Sequence, residues 1–193
     1  MSPTPATAPE RPDAPPPWRL GRNVVLVGLM GAGKTSIGRR LAKMLATPFA
    51  DADEEIVAAA GLSIPDIFQL YGEPRFRELE RRVIARMLEG GPMVLALGGG
   101  AFMDPDTRTR IAERAVSVWL RADLETLVAR TSRKRGTRPL LERGDPHEIL
   151  AGLMRDRYPV YALADYTVDS QVEPHESVVE RIVTMIEPAV RQE

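Results

Sequence analysis

Hydrophobic residues occur along this chain in two alternating patterns, and the alternation predicts an α/β protein. Apolar runs typical of buried strands lie at 23–27, 92–97 and 115–120, with shorter candidates at 47–53 and 166–168. Between the runs, apolar residues recur every three or four positions, as they do on one face of a helix. Ile37, Leu41 and Leu45 give the clearest example.

The first strand leads through a glycine-rich loop into the first predicted helix. Residues 28–35 have the sequence GLMGAGKT and fit the pattern Gly-x4-Gly-Lys-[Ser/Thr]. Glycines let consecutive backbone amides curl around a phosphate, while Lys34 can neutralise the β- and γ-phosphates and the Thr35 hydroxyl can bind Mg²⁺. The alternative is a glycine turn that carries a lysine by coincidence. Because a strand and a helix flank the loop, we predict a nucleoside triphosphate site.

Composition limits the classes of partner. The 193 residues fit one domain, and a net charge of −1 gives no reason to expect a nucleic acid or a membrane surface. The chain contains no cysteine, which is compatible with the cytoplasm, and no run approaches the roughly 20 apolar residues that span a bilayer. Its first residues include no apolar stretch typical of a secretory signal, so none is expected. Seven of the 17 prolines lie in residues 1–17, which predicts a disordered tail before a domain at 18–193; a docking peptide is the alternative.

Two carboxylates follow the second predicted strand. Asp51 and Asp53 would share one side of an extended strand, at the carboxyl end where open α/β sheets bind ligands. Asp53 is also suited to cap a helix at 54–60. Their place beside the phosphate-binding loop favours a functional role.

The middle of the chain contains two predicted helices, at 63–71 and from 72 to about 89. The buried stripe of the second helix would consist of Phe76, Leu79, Val83 and Met87. Arg77 lies beside this stripe, and on periodicity alone it would face solvent.

Three consecutive glycines, Gly98, Gly99 and Gly100, follow the third strand. They indicate either backbone held close to a ligand or a flexible turn.

The segment at about 131–146 interrupts the alternation of predicted strands and helices, because it is rich in basic residues, glycine and proline and poor in hydrophobic residues. We predict a mobile lid that closes over phosphates, with a plain solvated loop as the alternative. A helix at 147–162 follows, which Pro159 should kink or end. A last amphipathic helix spans 174–187. His147 and His175 lie near helix starts without a metal-ligand partner and receive no role.

Five separated motifs resemble the shikimate kinase family, which is related to the nucleoside monophosphate kinases. They are GLMGAGKTSIGRRLA, FADAD, Phe76-Arg77 within GEPRFRELE, LALGGGAF, and RPLL with RYPVY. The resemblance extends from Asn23 to the last helix. It implies a three-layer α/β/α P-loop kinase fold with a five-stranded parallel sheet in the order 2-3-1-4-5, a substrate-binding helical region and a lid.

The resemblance also implies ATP-dependent phosphorylation of the 3-hydroxyl of shikimate, in the route to chorismate and the aromatic amino acids, by a cytoplasmic monomer that needs Mg²⁺. The implied catalytic residues are Asp53, Lys34 and Arg138. The implied nucleotide-binding residues are Gly31, Ala32, Gly33, Lys34, Thr35, Ser36, Arg130, Arg138 and Pro174. The implied shikimate-binding residues are Asp53, Arg77, Gly98, Gly99, Gly100 and Arg157, and the implied metal ligands are Thr35 and Asp51.

Two alternatives stay open at this stage. Another kinase of this fold, such as a gluconate kinase or a nucleoside monophosphate kinase, would share the phosphate-binding loop. A catalytically silent nucleotide-binding module would share the fold but turn over no acceptor. A GTPase is disfavoured because no Asn-Lys-x-Asp guanine motif occurs.

Overall fold

The computed structural model describes residues 19–132, 144–170 and 174–192. The predicted tail at 1–17 lies outside the described residues. So do Arg138 and most of the predicted lid.

The described strands form one five-stranded parallel sheet and one short antiparallel pair. The strands are β1 (Arg19–Leu20), β2 (Asn23–Val27), β3 (Phe49–Asp51), β4 (Val94–Ala96), β5 (Ala115–Arg121), β6 (Tyr166–Asp169) and β7 (Arg191–Gln192). The large sheet has the order β3-β4-β2-β5-β6, and β1 pairs with β7. In the central strand, Val24 is paired with Val94 on one side and with Val116 on the other. The predicted order of the five main strands is therefore confirmed.

Helices connect the strands of the sheet. The described α-helices are α1 (Lys34–Met44), α2 (Ala52–Ala60), α3 (Ile64–Glu89), α4 (Pro105–Arg114), α5 (Leu124–Ser132), α6 (Pro146–Tyr161) and α7 (His175–Val190). Short polar side chains accept hydrogen bonds from the first-turn amides of several of them: Ser63 caps α3, Asp104 caps α4 and Asp145 caps α6. None of the described helices combines the length and hydrophobicity needed to cross a membrane.

The core lies on both faces of the sheet. All five residues of β2 are buried, and successive side chains of a strand point to opposite faces, so both faces must be covered. Ile37 and Leu41 of α1 are fully buried, and so are Ile182 and Ile186 of α7. The result is the predicted three-layer α/β/α arrangement.

The local structure differs from the predictions at Asp53 and Pro159 and agrees with them at Gly72. Asp53 does not extend the strand but lies in α2, and the cap of that helix is Asp51, whose carboxylate accepts a hydrogen bond from the Asp53 amide at 3.1 Å. The two helices predicted for the middle region are confirmed as the two parts of α3, which is broken at Gly72, where φ is 76° and ψ is 171°. Pro159 does not end α6, which continues to Tyr161.

Candidate active site

One cavity of about 500 Å³ lies at the carboxyl ends of the parallel strands. This is the edge at which open α/β sheets bind ligands. Most of the predicted site residues line it together: Gly31, Gly33, Lys34, Thr35, Ser36, Asp51, Asp53, Arg77, Gly98, Gly99, Gly100, Arg130 and Arg157. Ala32 is buried in the loop behind the cavity, and Pro174 caps α7 without lining the cavity.

The phosphate-binding loop, residues 28–35, has the conformation that its glycines permit. Gly31 and Gly33 have φ values of 86° and 94°. A Cβ on Gly28 would lie 2.7 Å from the Leu120 carbonyl oxygen, so no other residue fits there. Helix α1 begins at Lys34 and directs the positive end of its dipole at the loop. The Lys34 ammonium donates hydrogen bonds to the carbonyls of Gly28 and Leu29 at 2.7 and 3.0 Å, which holds the cation beside the loop.

Two oxygen ligands suited to a divalent cation lie next to the loop. The Thr35 hydroxyl donates a hydrogen bond to the Asp51 carboxylate, with 2.8 Å between the oxygens. The other oxygen of that carboxylate caps α2, so its orientation is fixed from both sides. The described residues contain no cluster of three or more His, Cys, Asp or Glu side chains that could hold a metal ion alone. The oxygen pair fits Mg²⁺, which commonly takes one or two protein oxygens and completes its coordination with phosphates and water.

The glycine turn, Gly98–Gly100, follows β4 and packs directly against charged side chains. A Cβ would lie 2.7 Å from the Asp53 carboxylate at Gly98, 3.2 Å from the Arg157 guanidinium at Gly99, and 2.5 Å from the Arg77 guanidinium at Gly100. The turn is also ordered by backbone hydrogen bonds, since the Ala101 amide donates to the Gly98 carbonyl at 3.1 Å. The lack of side chains at these three positions leaves room for three charged groups beside the backbone.

Arg77 is held by a carboxylate that the sequence analysis did not single out. Its guanidinium donates to Glu80 at 2.7 Å and to Glu73 at 3.1 Å. The Glu80 side chain is only 4% exposed, and that of Arg77 is 28% exposed, so the solvent-facing position expected from periodicity was wrong.

Burial and ion pairing set the protonation of this pair. Burial raises the pKa of Glu80, although the charge and the hydrogen bond of Arg77 act to lower it. Burial acts to lower the pKa of Arg77, but the charges and hydrogen bonds of Glu80 and Glu73 together outweigh burial and raise it. Asp53, Arg77, Glu80 and Arg157 are called the charge cluster below.

Arg130 and His175 lie on the side of the cavity next to the phosphate-binding loop. The Arg130 guanidinium donates to the Ser170 hydroxyl at 3.1 Å and approaches the Gly31 carbonyl at 3.4 Å. The Ser170 hydroxyl in turn donates to the Ala32 carbonyl at 2.9 Å, which ties the end of β6 to the loop. Burial lowers the pKa of Arg130, and burial together with the nearby positive charges lowers the pKa of His175.

The residues near the site to which the sequence analysis gave no role include three with polar side chains. They are Glu80, His175 and the fully buried Tyr161. Only Glu80 had a readable signal, because it lies four residues after Phe76 and three before Val83, on the apolar face of α3. His175 and Tyr161 became recognisable only when the fold placed α6 and α7 beside the loop and the glycine turn.

The sheet order and the phosphate-binding loop after the central strand define a P-loop kinase that acts on a small molecule. The chain matches the family model described as shikimate kinase over residues 30–187. It is 58% identical over 165 residues to the shikimate kinase of Paramagnetospirillum magneticum, an alignment that covers 86% of this chain and 84% of that protein. It is 54% identical over 162 residues to the shikimate kinase of Bradyrhizobium diazoefficiens, with 84% and 78% covered. The chain belongs to the shikimate kinase family, as the resemblance predicted.

Solved structures agree with this assignment. The structure of the Acinetobacter baumannii shikimate kinase in complex with shikimate superposes with a TM-score of 0.82 at 36% identity, covering 86% of this chain and 93% of that one. A gluconokinase from Sinorhizobium meliloti superposes with a TM-score of 0.58 at 18% identity, covering 88% and 94%. The second likeness shows a shared fold and does not favour the gluconate kinase alternative.

Proposed function

We propose that this member of the shikimate kinase family, an ATP-dependent enzyme that phosphorylates the 3-hydroxyl of shikimate, binds both substrates in the one cavity. The observation that carries the proposal is that the phosphate-binding loop and the charge cluster line the same cavity. One part of that cavity offers backbone amides and Lys34 to a triphosphate, and the other offers two arginines to a carboxylate. An acceptor alcohol between them would face the terminal phosphorus.

The nucleotide is held mainly by the phosphate-binding loop. The backbone amides of Gly31, Ala32 and Gly33, with Lys34 and the start of α1, surround the phosphates. To reach the β- and γ-phosphates, Lys34 exchanges its two carbonyl partners for phosphate oxygens.

The remaining nucleotide contacts are assigned to residues around the loop. Ser36 lines the cavity and adds a further contact. Arg130 and the start of α7 at Pro174 flank the base. Arg138, which lies outside the described residues, stabilises the transferring phosphoryl group.

Mg²⁺ fits the oxygen pair formed by Thr35 and Asp51. The Thr35 hydroxyl would hold the ion, and the Asp51 carboxylate would support it. When bound, the ion neutralises charge on the phosphate oxygens.

Shikimate is a carboxylate with three hydroxyls, and the charge cluster has matching chemistry. Arg77 and Arg157 present planar cationic donors for the acid group, with the glycine turn Gly98–Gly100 forming the adjacent wall. The Asp53 carboxylate lies against Gly98, where it orients the 3-hydroxyl and accepts its proton. Phosphoryl transfer depends chiefly on this alignment and on charge neutralisation.

The oligomeric state, cellular location and partners of the enzyme are also part of the proposal. The enzyme works as a monomer in the cytoplasm, on small molecules and without a nucleic-acid or membrane partner. A net charge of −1 gives no reason to expect a nucleic-acid or membrane partner, and the lack of cysteine is compatible with the cytoplasm.

A coupled assay of ADP release tests the function. The full chain with ATP and Mg²⁺ should release ADP rapidly with shikimate, and at background rates with gluconate or with nucleoside monophosphates. Turnover of gluconate in place of shikimate would favour the gluconate kinase alternative. Nucleotide binding without turnover of any acceptor would favour a silent module.

A further inference from the structure

Tyr161 is a buried residue to which the mechanism above gives no role. It is the last residue of α6, has no exposed surface, and its hydroxyl donates a hydrogen bond to the Gly99 carbonyl. Gly99 belongs to the wall that faces the substrate. A core tyrosine therefore reaches the site from behind the glycine turn.

The ring of Tyr161 is fixed by other aromatic rings. Its centroid lies 6.5 Å from Phe102, 6.1 Å from Trp119 and 6.2 Å from Tyr158. Close packing of this kind leaves one orientation for the ring, so the hydroxyl has a fixed position. Loss of the hydroxyl alone would leave this packing in place.

Arg157 meets Tyr161 at the same glycine. The two residues are one helical turn apart on α6, a spacing that places them on one face of the helix. From a Cβ built on Gly99, the Arg157 guanidinium lies 3.2 Å away and the Tyr161 hydroxyl 3.7 Å away. Burial raises the pKa of Tyr161, whereas the charge of Arg157 and a hydrogen bond with its side chain act to lower it. The hydroxyl thus remains a neutral donor to the carbonyl.

We infer that Tyr161 is a positioning residue for the carboxylate-binding part of the cavity. Its hydroxyl donates to the Gly99 carbonyl and accepts a hydrogen bond from the Arg157 side chain, so it fixes the guanidinium beside Gly99, where the substrate carboxylate would bind. Without the hydroxyl, the guanidinium would lose this partner and turn toward the Gly99 carbonyl, because a carbonyl and a carboxylate are both acceptors for its five N–H groups. The inference rests on the proposed role of Arg157 in binding shikimate.

The chain provides a matched control one turn earlier on the same helix. Tyr158 belongs to the same aromatic cluster, and its hydroxyl also donates to a backbone carbonyl, that of Ala122. Neither Tyr158 nor Ala122 lines the cavity. Tyr158→Phe and Tyr161→Phe therefore remove equivalent hydroxyls. Of the two, only the Tyr161 hydroxyl contacts a residue that lines the cavity, Gly99.

Steady-state kinetics with shikimate and ATP varied separately test the inference. Tyr161→Phe should raise the KM for shikimate by about 3- to 10-fold, the range expected from one hydrogen bond, with the ATP KM and kcat nearly unchanged. Tyr158→Phe should leave all three constants unchanged. In an Arg157→Ala background, Tyr161→Phe should have no further effect, because residues that act through each other are not additive.

Contrary outcomes separate this inference from the proposed function. Equal effects of the two tyrosine variants, or an undiminished effect of Tyr161→Phe in the Arg157→Ala background, would make Tyr161 a structural residue only. If Arg157→Ala raises the shikimate KM but Tyr161→Phe does not, the inference fails and the proposed function stands. Absence of shikimate-dependent turnover in the wild type would overturn both.

Discussion

The two parts of the cavity differ in construction: one uses mainly backbone groups of a continuous loop, and the other uses side chains from three helices. The phosphate-binding loop is a run of consecutive residues, and it acts through backbone amides, one helix dipole and Lys34. The charge cluster comes from α2, α3 and α6, and its members meet over the glycine turn after β4. The first part is local in sequence, and the second exists only in the folded protein.

This difference determines how each part responds to change. Backbone amides keep their positions as long as the loop glycines keep their conformations. The side chains of the charge cluster depend on one another, since Arg77 is held by Glu80, and Glu80 in turn is close enough to Asp53 and Arg157 to feel their charges. A single substitution in the cluster should therefore disturb shikimate binding while nucleotide binding stays intact.

The largest expected effect is at Asp53, where the two parts of the cavity meet. Asp53→Asn removes the proposed proton acceptor and should lower kcat by about 100-fold or more, the usual loss when a general base is removed. Its neighbour Glu54 lies in the same turn of α2 but pairs with Arg39 in an exposed position. Glu54→Gln should leave kcat within about twofold, since exposed pairs contribute little. Near-normal turnover of Asp53→Asn would remove Asp53 from the chemistry.

The next effect tests the packing of the cluster against the glycine turn. In Gly100→Ala the new methyl would lie 2.5 Å from the Arg77 guanidinium, which must move away from its place between Glu73 and Glu80. Loss of a charged hydrogen bond to the substrate should raise the shikimate KM by about tenfold or more, with the ATP KM unchanged. Gly152→Ala on α6 is the control, because the nearest atom to its new methyl is 4.0 Å away. A wild-type shikimate KM in Gly100→Ala would show that Arg77 does not need this approach.

The same contrast explains which features could be predicted from the sequence. Residues 28–35 predicted the loop, and α1 begins at Lys34 as expected, because the motif and its flanking periodicity are contiguous. Apolar runs showed which segments are buried strands. They did not show which strands are neighbours, and the strand order came from the family resemblance alone.

The details that failed depend on side-chain contacts that hydrophobic periodicity does not show. Asp53 was expected on a strand, but the Asp51 carboxylate caps α2 and starts the helix one residue after β3. Leu79 was expected in the buried stripe of α3 but is only partly buried, whereas Glu80 is buried. A carboxylate enters the core there because Arg77, three residues earlier on the same helix, pairs with it at 2.7 Å, and the apolar pattern does not reveal this contact.

The smallest expected kinetic effect concerns the two carboxylates that hold Arg77. Glu80→Gln keeps the shape but removes the buried charge, and it should raise the shikimate KM about 3- to 10-fold and destabilise the fold by about 1–3 kcal/mol. Glu73 makes the matched contact on the same guanidinium, but its side chain is 62% exposed. Glu73→Gln should therefore change the unfolding free energy by less than about 1 kcal/mol. The unfolding free energy is measured by urea unfolding and the shikimate KM by steady-state kinetics. If Glu80→Gln and Glu73→Gln changed both quantities equally, burial of Glu80 would not be the reason for its effect.

The pH dependence of stability tests the same carboxylate by a second route. Because burial raises the pKa of Glu80 above its ordinary value of 4.5, the folded protein keeps a proton there at pH values where the unfolded chain has released it. The resulting stabilisation is complete below pH 4.5 and is lost as the pH rises through the raised pKa. The unfolding free energy of the wild type minus that of Glu80→Gln should therefore fall with rising pH above 4.5. A difference that instead grew with pH would mean that Arg77, rather than burial, controls this carboxylate.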